Sequence, residues 1–567
     1  MGNETKAYEL AKKMQEISIA EFFEKNRHLL GFDNKRKALL TAVKEAVDNS
    51  LDACEDARIL PEINVEIIEM NEERFKVIVE DNGPGIIKAQ IPKIFAKLLY
   101  GSKFHKLSQS RGQQGIGISA AVLYAQLTTG RPAKITSKIS PNDPALYYEL
   151  HIDTKNNKPE IVKESVVEWS KEHGTKVELD IEATYQKGFQ SIDEYLKQTA
   201  IVNPHVTINY TTPKAEHMNF SRITEILPAQ PKEIKPHPYG VELGMLIKMM
   251  DMSKAPSLQS FLASDFSRIG NETAKEICSN AALLPRMKPS DVSRQQAEKL
   301  LEGIKKTKII APPTDCISPI GEELIEKGLK KEVNAEFYCS VSRPAAVYRG
   351  NPFVVEAGIA YGGDFPADKT VTVLRFANRV PLLYQPGACV VTEAIADTNW
   401  KPYGLQQSGS ALPVGPAVMI VHLASVWVPF TSEAKEAIAH YPEIMKEVKL
   451  ALQECGRKLS LYINKKRRVK DELAKRGYIE TYIPHIGLAL KELIGLKEDE
   501  QKKVEELLAE VLEKQRGKLE DVGFDPDANE EYDEDFALGK EEEAEETEVE
   551  EKPERKEKPL KKQAKGE

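Results

Sequence analysis

Three short motifs stand in one order along this chain and restrict what it can become. They are Glu45-Ala46-Val47-Asp48-Asn49, Asp81-Asn82-Gly83-Pro84-Gly85 and Gly112-Gln113-Gln114-Gly115-Ile116-Gly117. The first falls on a helix, because apolar residues recur at Leu39, Ala42, Val43, Ala46, Val47 and Leu51 across 35–59. That period places Glu45 and Asn49, four residues apart, on one face. A carboxylate one turn from an amide oxygen can orient a water and help hold a hard metal ion, as phosphate hydrolysis requires. Asp48, Asp52, Glu55 and Asp56 crowd the same region, and a solvated polar stripe accounts for the motif equally well when it is taken alone.

The second motif follows a strand at 74–80, which pairs with a strand at 63–69 through the turn Asn71-Glu72-Glu73. A carboxylate at a strand end can accept the exocyclic amino group of adenine, and Gly83 and Gly85 permit close backbone approach. An ordinary Asp-Asn-Gly turn would look the same. The third motif opens a helix, ISAAVLYAQL, that stops near Gly130. Unpaired N–H groups and the helix dipole there favour phosphate oxygens. The preceding segment, 100–106, is polar and basic and could close as a lid, with Ser102 and Lys103 reaching a triphosphate. Further strands are expected at 133–139, 147–153 and 175–181, and Thr175 could reach the adenine side. Helices on one face of such a sheet make an α/β sandwich.

At 567 residues the chain can bury several cores. A net charge of -9 excludes a globally basic nucleic-acid binder but not a local basic patch. Six scattered cysteines without a CxxC pair argue against a zinc site or a disulfide framework. The first residues carry charges where a signal peptide needs an apolar core. The longest apolar stretch, 411–430, is broken by Pro413 and Pro416 and holds His422, which fits buried strand and loop better than a membrane span.

Four prolines between 228 and 238 mark a linker, and short helices follow over 240–306, with Ser290 and Ser293 as candidate N-caps for the last. After Pro312-Pro313, strands are expected at 335–342, 353–361, 370–377 and 417–428. A long helical tract is expected from near Ser432 past Lys470, then a helix pair over 485–516. From Gly523 the composition turns acidic and then Lys-rich, as in a disordered tail. No internal repeats are evident.

In this order and context the three motifs resemble the GHKL family of ATPases, the Bergerat fold shared by gyrase, Hsp90 chaperones and histidine kinases. The resemblance covers roughly residues 30–190, and the lack of a GxxxxGK[ST] loop agrees with it. It implies that Glu45 is the general base, Asn49 holds Mg2+ and Asp81 reads adenine. Gly83, Gly85, Ser102, Lys103, Arg111, Gly112, Gln113, Gln114, Gly115, Ile116, Gly117, Ile118, Ser119 and Thr175 would surround the ATP.

Beyond the pocket, EAVDNSLDACEDA, GSKFHKLSQSRGQQGIGISA, HPYGVELGML and VWVPFTSEAKEAI resemble the B-subunit family of type IIB DNA topoisomerases, from the N-terminus to about 515. That resemblance implies a multidomain α/β chain. Its parts would be a Bergerat-type ATPase domain with an N-terminal dimerising strap (1–230), a helix-two-turns-helix insert (231–313) and a βαβ-rich transducer with a long C-terminal helix (314–475). Helices contacting the A subunit of the topoisomerase (476–520) and a charged tail (521–567) would follow. Lys435, in the loop and helix start of VPFTSEAKEAI, would be a switch lysine reaching the γ-phosphate. ATP binding would close two copies into a dimer within an A2B2 heterotetramer, in which the A subunit cuts double-stranded DNA. The implied location is cytoplasmic and nucleoid-associated, with no membrane.

The run Lys465-Lys466-Arg467-Arg468 could touch duplex phosphates or simply be a solvated helix face. Apolar residues over 485–516 suit packing on the A subunit or this chain's own core. An Hsp90-type clamp remains an alternative, against which the helical insert and basic helix speak. A histidine kinase is a weaker one, since none of the ten histidines sits in a convincing dimerisation helix.

Overall fold

The computed structural model describes residues 14, 17–103, 106–112, 115–432 and 434–516. They fall into two compact units, divided between Arg467 and Arg468. The expected strap and tail lie outside the described residues, apart from residue 14 and those from 17 onward.

The first unit begins with an eight-stranded sheet. Its strands are β1 (Glu62–Asn71), β2 (Arg74–Asp81), β3 (Ala133–Lys138), β4 (Ala145–Asp153), β5 (Lys158–Val167), β6 (Gly174–Glu182), β7 (Thr207–Thr211) and β8 (His217–Phe220). The order is β5-β4-β3-β6-β2-β1-β7-β8, and every pairing is antiparallel except β1 with β7. Alternation builds the β1–β2 hairpin as the sequence leads one to expect: Val65 faces Val79 and Ile67 faces Val77, all of them buried.

Three long helices cover this sheet, and the short helix Ile91–Ala96 packs against β4 and β5. Helix Lys35–Asp56 is capped by Asn34, whose side chain accepts from Lys37 N at 2.8 Å. Its apolar stripe of Leu39, Val43, Val47 and Leu51 is fully buried. Helix Gly117–Thr129 is buried along Ile118–Ala125 and ends at Gly130 in the left-handed conformation. Helix Ile192–Val202 is capped by Ser191.

Four short helices, Leu243–Met252, Leu258–Asp265, Asn271–Asn280 and Arg294–Lys306, enclose a separate small core around Leu246, Phe261, Leu262, Ile277 and Leu300. Ser293 is the N-cap of the last and forms a capping box with Gln296. Ser290 lies in a preceding 3₁₀ turn instead.

A second sheet holds β9 (Phe337–Ser342), β10 (Ala346–Tyr348), β11 (Asn351–Tyr361), β12 (Thr372–Ala377), β13 (Val380–Pro381) and β14 (Ala417–Ser425). The path runs β10-β11-β14-β12-β13, with β9 on β11 and a parallel pairing of β12 with β14. Every residue of β14 is buried, which accounts for the apolar stretch noted in the sequence. All six cysteines are free thiols buried among these cores.

The structure corrects two element boundaries. The long helix starts at Pro442 rather than near Ser432 and runs unbroken to Ile494, through Pro484. The expected pair over 485–516 is therefore the end of that helix plus Glu498–Arg516, separated by Gly495 at φ 72°. In the second unit Ile483 and Leu512 are buried, whereas Tyr478, Leu493, Ile494 and Leu507 are exposed.

Helix Glu322–Glu332 ties the second sheet to the first. Its Gly328 lies against helix Ile192–Val202 so closely that a Cβ there would sit 2.3 Å from the Ile201 carbonyl oxygen. Helix propensity alone favours Ala over Gly by about 1 kcal/mol, but a rigid backbone clash of this kind costs about 1–3 kcal/mol. Gly328→Ala is expected to lower the unfolding midpoint in urea despite its better propensity. A raised midpoint would show that these helices pack loosely.

Candidate nucleotide-binding site

A cavity of about 610 Å³ opens between helix Lys35–Asp56, the end of β2, the start of helix Gly117–Thr129 and two loops of the second sheet. Glu45 and Asn49 both line it, as their i, i+4 spacing requires. The Glu45 carboxylate rests on the first residue of the glycine-led helix: a Cβ on Gly117 would sit 1.7 Å from Glu45 Oε2. Among the described residues no side chain caps that helix, and N–H groups at such a helix start suit an anion. Gly115, with φ 58°, makes the turn into it.

Asp81 is the last residue of β2 and is 6% exposed. Its Oδ1 accepts from Gly83 N at 2.9 Å and Thr175 N at 3.0 Å, and its Oδ2 from Ser50 Oγ at 2.8 Å. Burial pushes its pKa up, against the pull of these three bonds. The approach of β6 to this corner depends on Gly174 (φ 140°), where a Cβ would lie 2.1 Å from the Asp81 carbonyl oxygen.

The residues singled out from sequence divide into three groups. Glu45, Asn49, Asp81, Gly85, Ser102, Lys103, Gly112, Gly115, Ile116, Gly117, Ile118, Thr175 and Lys435 line the cavity. Gly83, Ser119 and Arg111 do not: Gly83 buttresses Asp81, and Ser119 Oγ bonds back to the Ile116 carbonyl at 2.8 Å. Gln113 and Gln114 lie outside the described residues, as do Phe104 and His105 of the expected lid.

The Arg111 guanidinium turns away from the cavity into a buried ionic cluster. It donates to Asp52 Oδ1 at 3.0 Å and to Glu55 at 2.7 and 2.8 Å. Burial alone would raise the Asp52 pKa, but Lys103 (2.6 Å away) and Arg111 hold it below the usual range. Glu55 is held low in the same way by Arg111 and His205, against its burial.

Lys435 sits in a loop ahead of the long helix, not at a helix start, and has a left-handed backbone (φ 52°). Its Nζ donates to the Arg111 carbonyl at 2.6 Å. Of the basic run, Lys465, Lys466 and Arg467 are exposed on the long helix of the first unit, with Lys466 paired to Glu336. Arg468 is exposed at the start of the second unit.

Two residues to which the sequence analysis gives no role, Lys44 and Asp48, lie beside Glu45. Lys44 lines the cavity, and burial pushes its pKa down, opposed by Asp48 and Glu45. Asp48 accepts from Tyr195 Oη at 2.9 Å, and burial lifts its pKa to about 6. Their adjacency to Glu45 was the available signal; which face each occupies was not. Among the described residues no cluster of three or more His, Cys, Asp or Glu could hold a metal. None of the described helices is long and apolar enough to cross a membrane.

Two family descriptions match the chain. Residues 37–185 match "Histidine kinase-, DNA gyrase B-, and HSP90-like ATPase", and 312–475 match "Topoisomerase VI B subunit, transducer". The B subunit of type 2 DNA topoisomerase 6 from Methanococcoides burtonii is 55% identical over 86% of this chain and 79% of its own length. The Methanosarcina barkeri protein of the same name is 53% identical with the same coverage. One from Archaeoglobus fulgidus is 48% identical over 89% of this chain and 83% of its own.

Asp48 gives a pH prediction. Its folded pKa lies above the ordinary 3.8, so the native state binds the proton more tightly and stability falls as pH rises through that interval. A lift to about 6 corresponds to on the order of 3 kcal/mol once the carboxyl is ionised. Asp48→Asn keeps an acceptor for Tyr195, and its stability relative to the parent chain should rise between pH 4 and pH 7. A difference that stays flat in denaturant titrations across that range would contradict the lift.

Proposed function

The chain belongs to the family of type 2 DNA topoisomerase 6 B subunits, and from that premise we propose that it is the ATP-hydrolysing component that gates passage of one DNA duplex through another. The observation that carries the reading is the placement of Glu45 and Asn49 on one helix face, opposite an uncapped helix start and within the same cavity as Lys435.

Glu45 orients the attacking water and takes its proton. The N–H groups from Gly115 onward hold the phosphates, and Asp81 accepts the adenine amino group. Lys435 leaves the Arg111 carbonyl for the γ-phosphate, a move suited to a flexible point charge. Asn49 would supply one amide oxygen to a magnesium ion, a hard-oxygen donor of the kind that ion takes. Such an ion, when bound, neutralises charge on the phosphate oxygens.

Residues 1–230 serve as the ATPase domain and 231–313 as the helical insert. Residues 314–475 act as transducer and 476–520 as the docking segment for the A subunit, which makes the double-strand break. The exposed Tyr478, Leu493 and Ile494 support that last assignment. ATP closes two copies into a dimer within an A2B2 assembly. Lys465, Lys466, Arg467 and Arg468 offer charge to DNA phosphates. A DNA substrate puts the protein in the cytoplasm, at the nucleoid.

Glu45→Gln should bind a nonhydrolysable ATP analogue within a few-fold of the parent chain and lose turnover by about 10²–10⁴. Turnover near the parent rate would remove Glu45 as the base. The same analogue should convert monomer to dimer in light scattering, and an unchanged mass would count against ATP-driven closure.

A further inference from the structure

β12 and β13 are joined by two residues, Asn378 and Arg379, since Ala377 pairs with Val380. Both have positive φ, 48° and 64°, the geometry of a tight hairpin turn that normally takes Asn-Gly. Asn is at home in the first position. Arg in the second carries strain that glycine would relieve, and strain of this kind persists where the surroundings over-determine it.

The surroundings do so here. Arg379 N donates to His422 Nε2 at 3.0 Å, and His422 Nδ1 lies 2.8 Å from Glu356. The Arg379 carbonyl accepts from Asn203 Nδ2 at 3.3 Å, and its guanidinium donates to the Ser318 and Pro319 carbonyls at 3.4 and 3.0 Å. It is 5% exposed, and no carboxylate among the described residues pairs with it. Burial works against its charge, Glu55 and Glu356 support it at longer range, and its direct partners are carbonyls.

The other contacts of this turn converge on the start of the glycine loop. Asn378 Nδ2 donates to the Ser110 carbonyl at 3.1 Å and to Ser425 O at 2.9 Å. Asn203, which holds the Arg379 carbonyl, also accepts from the Arg111 guanidinium. Lys435 rests on the Arg111 carbonyl. Two consecutive carbonyls, of residues 110 and 111, are thus held by Asn378 and Lys435 from the second-sheet side, while the Arg111 side chain is held by Asp52, Glu55 and Asn203 of the first. Directly after the turn, Pro381, Leu383 and Tyr384 form a wall of the cavity.

We propose that the Asn378–Arg379 turn is a positioning element for ATP hydrolysis, tying the Ser110 carbonyl to the second sheet so that the start of the glycine loop and the Arg111 carbonyl on which Lys435 rests keep a fixed place between the two sheets. It touches no reacting atom. Its effect passes through Arg111 and Lys435, and the proposal rests on the ATPase reading above. Loss of the grip should misplace the loop and slow turnover while leaving the adenine contacts at Asp81 intact.

The test uses the full chain and Asn378→Gly, which keeps the left-handed backbone and removes the amide. Turnover against ATP concentration, equilibrium binding of a nonhydrolysable analogue and thermal unfolding are measured together. The expected result is a kcat about tenfold lower, with KM and analogue affinity within about twofold. In a Lys435→Ala background the same change should cost less than a further twofold or so, because the two act as one unit. Multiplicative losses, a loss confined to affinity, or unchanged turnover would each overturn the proposal. Should Asn378→Gly fail to fold, Arg379→Lys, which keeps the charge and the strained turn but shortens the fork, is judged by the same outcomes. If the parent chain hydrolyses no ATP, the functional reading itself falls; if it does and the variants match it, only this inference falls.

Discussion

Helix Lys35–Asp56 meets two incompatible demands, and the site follows from how it does so. Its apolar stripe must be buried against the first sheet, and Leu39, Val43, Val47 and Leu51 are. Its other side carries Glu45, Asn49, Asp52 and Glu55 at spacings of four, three and three. A straight helix places these in a row. Glu45, Asn49 and Asp52 line the cavity, and Asp52 and Glu55 anchor Lys103 and Arg111 in the segment that leads into the glycine loop. The helix thus positions both the proposed hydrolytic pair and the loop that would hold phosphate.

A buried carboxylate also sits within the second sheet, where β11 pairs with β14. Glu356 and His422 are fully buried, and Glu356 also accepts from Ile320 N and Gly321 N at 2.8 and 2.6 Å. Burial would raise the Glu356 pKa, but His422 and these two N–H groups hold it low. His422 is neutral here, since its Nε2 accepts from Arg379 N and burial pushes its pKa down, so these are hydrogen bonds to one buried carboxylate, and losing a donor costs about 1–3 kcal/mol. They hold one arrangement against its neighbours, which suits a junction between a nucleotide site and a second sheet.

Much of this is legible in the residues. Strict alternation reveals β1 and β2, and the apolar period reveals the helix carrying Glu45. Other parts are not. In β5, Ile161, Val162 and Val166 are exposed at an edge and charges fall between them, so no period of two survives. Residues 431–441 have a helix-favouring composition, yet Thr431 N bonds to the Ala437 carbonyl, Phe430 bridges Ile438, and the chain turns left-handed at Lys435. Tertiary contacts override propensity there. Arg111 abuts the glycine loop, and that adjacency points it to the cavity. Only Asp52 and Glu55, far away in sequence, decide where its side chain goes.

The interior thiols have a practical consequence. Cys54 lies in the first sheet's domain, Cys278 among the short helices, and Cys339, Cys389 and Cys455 around the second sheet, all out of solvent. Burial pushes the Cys278 thiol up to about 11, so little thiolate exists at neutral pH. An alkylating reagent would therefore label each region only when that region breathes. Mass-resolved labelling over time would rank local openings within one native molecule, with no tag or dye added.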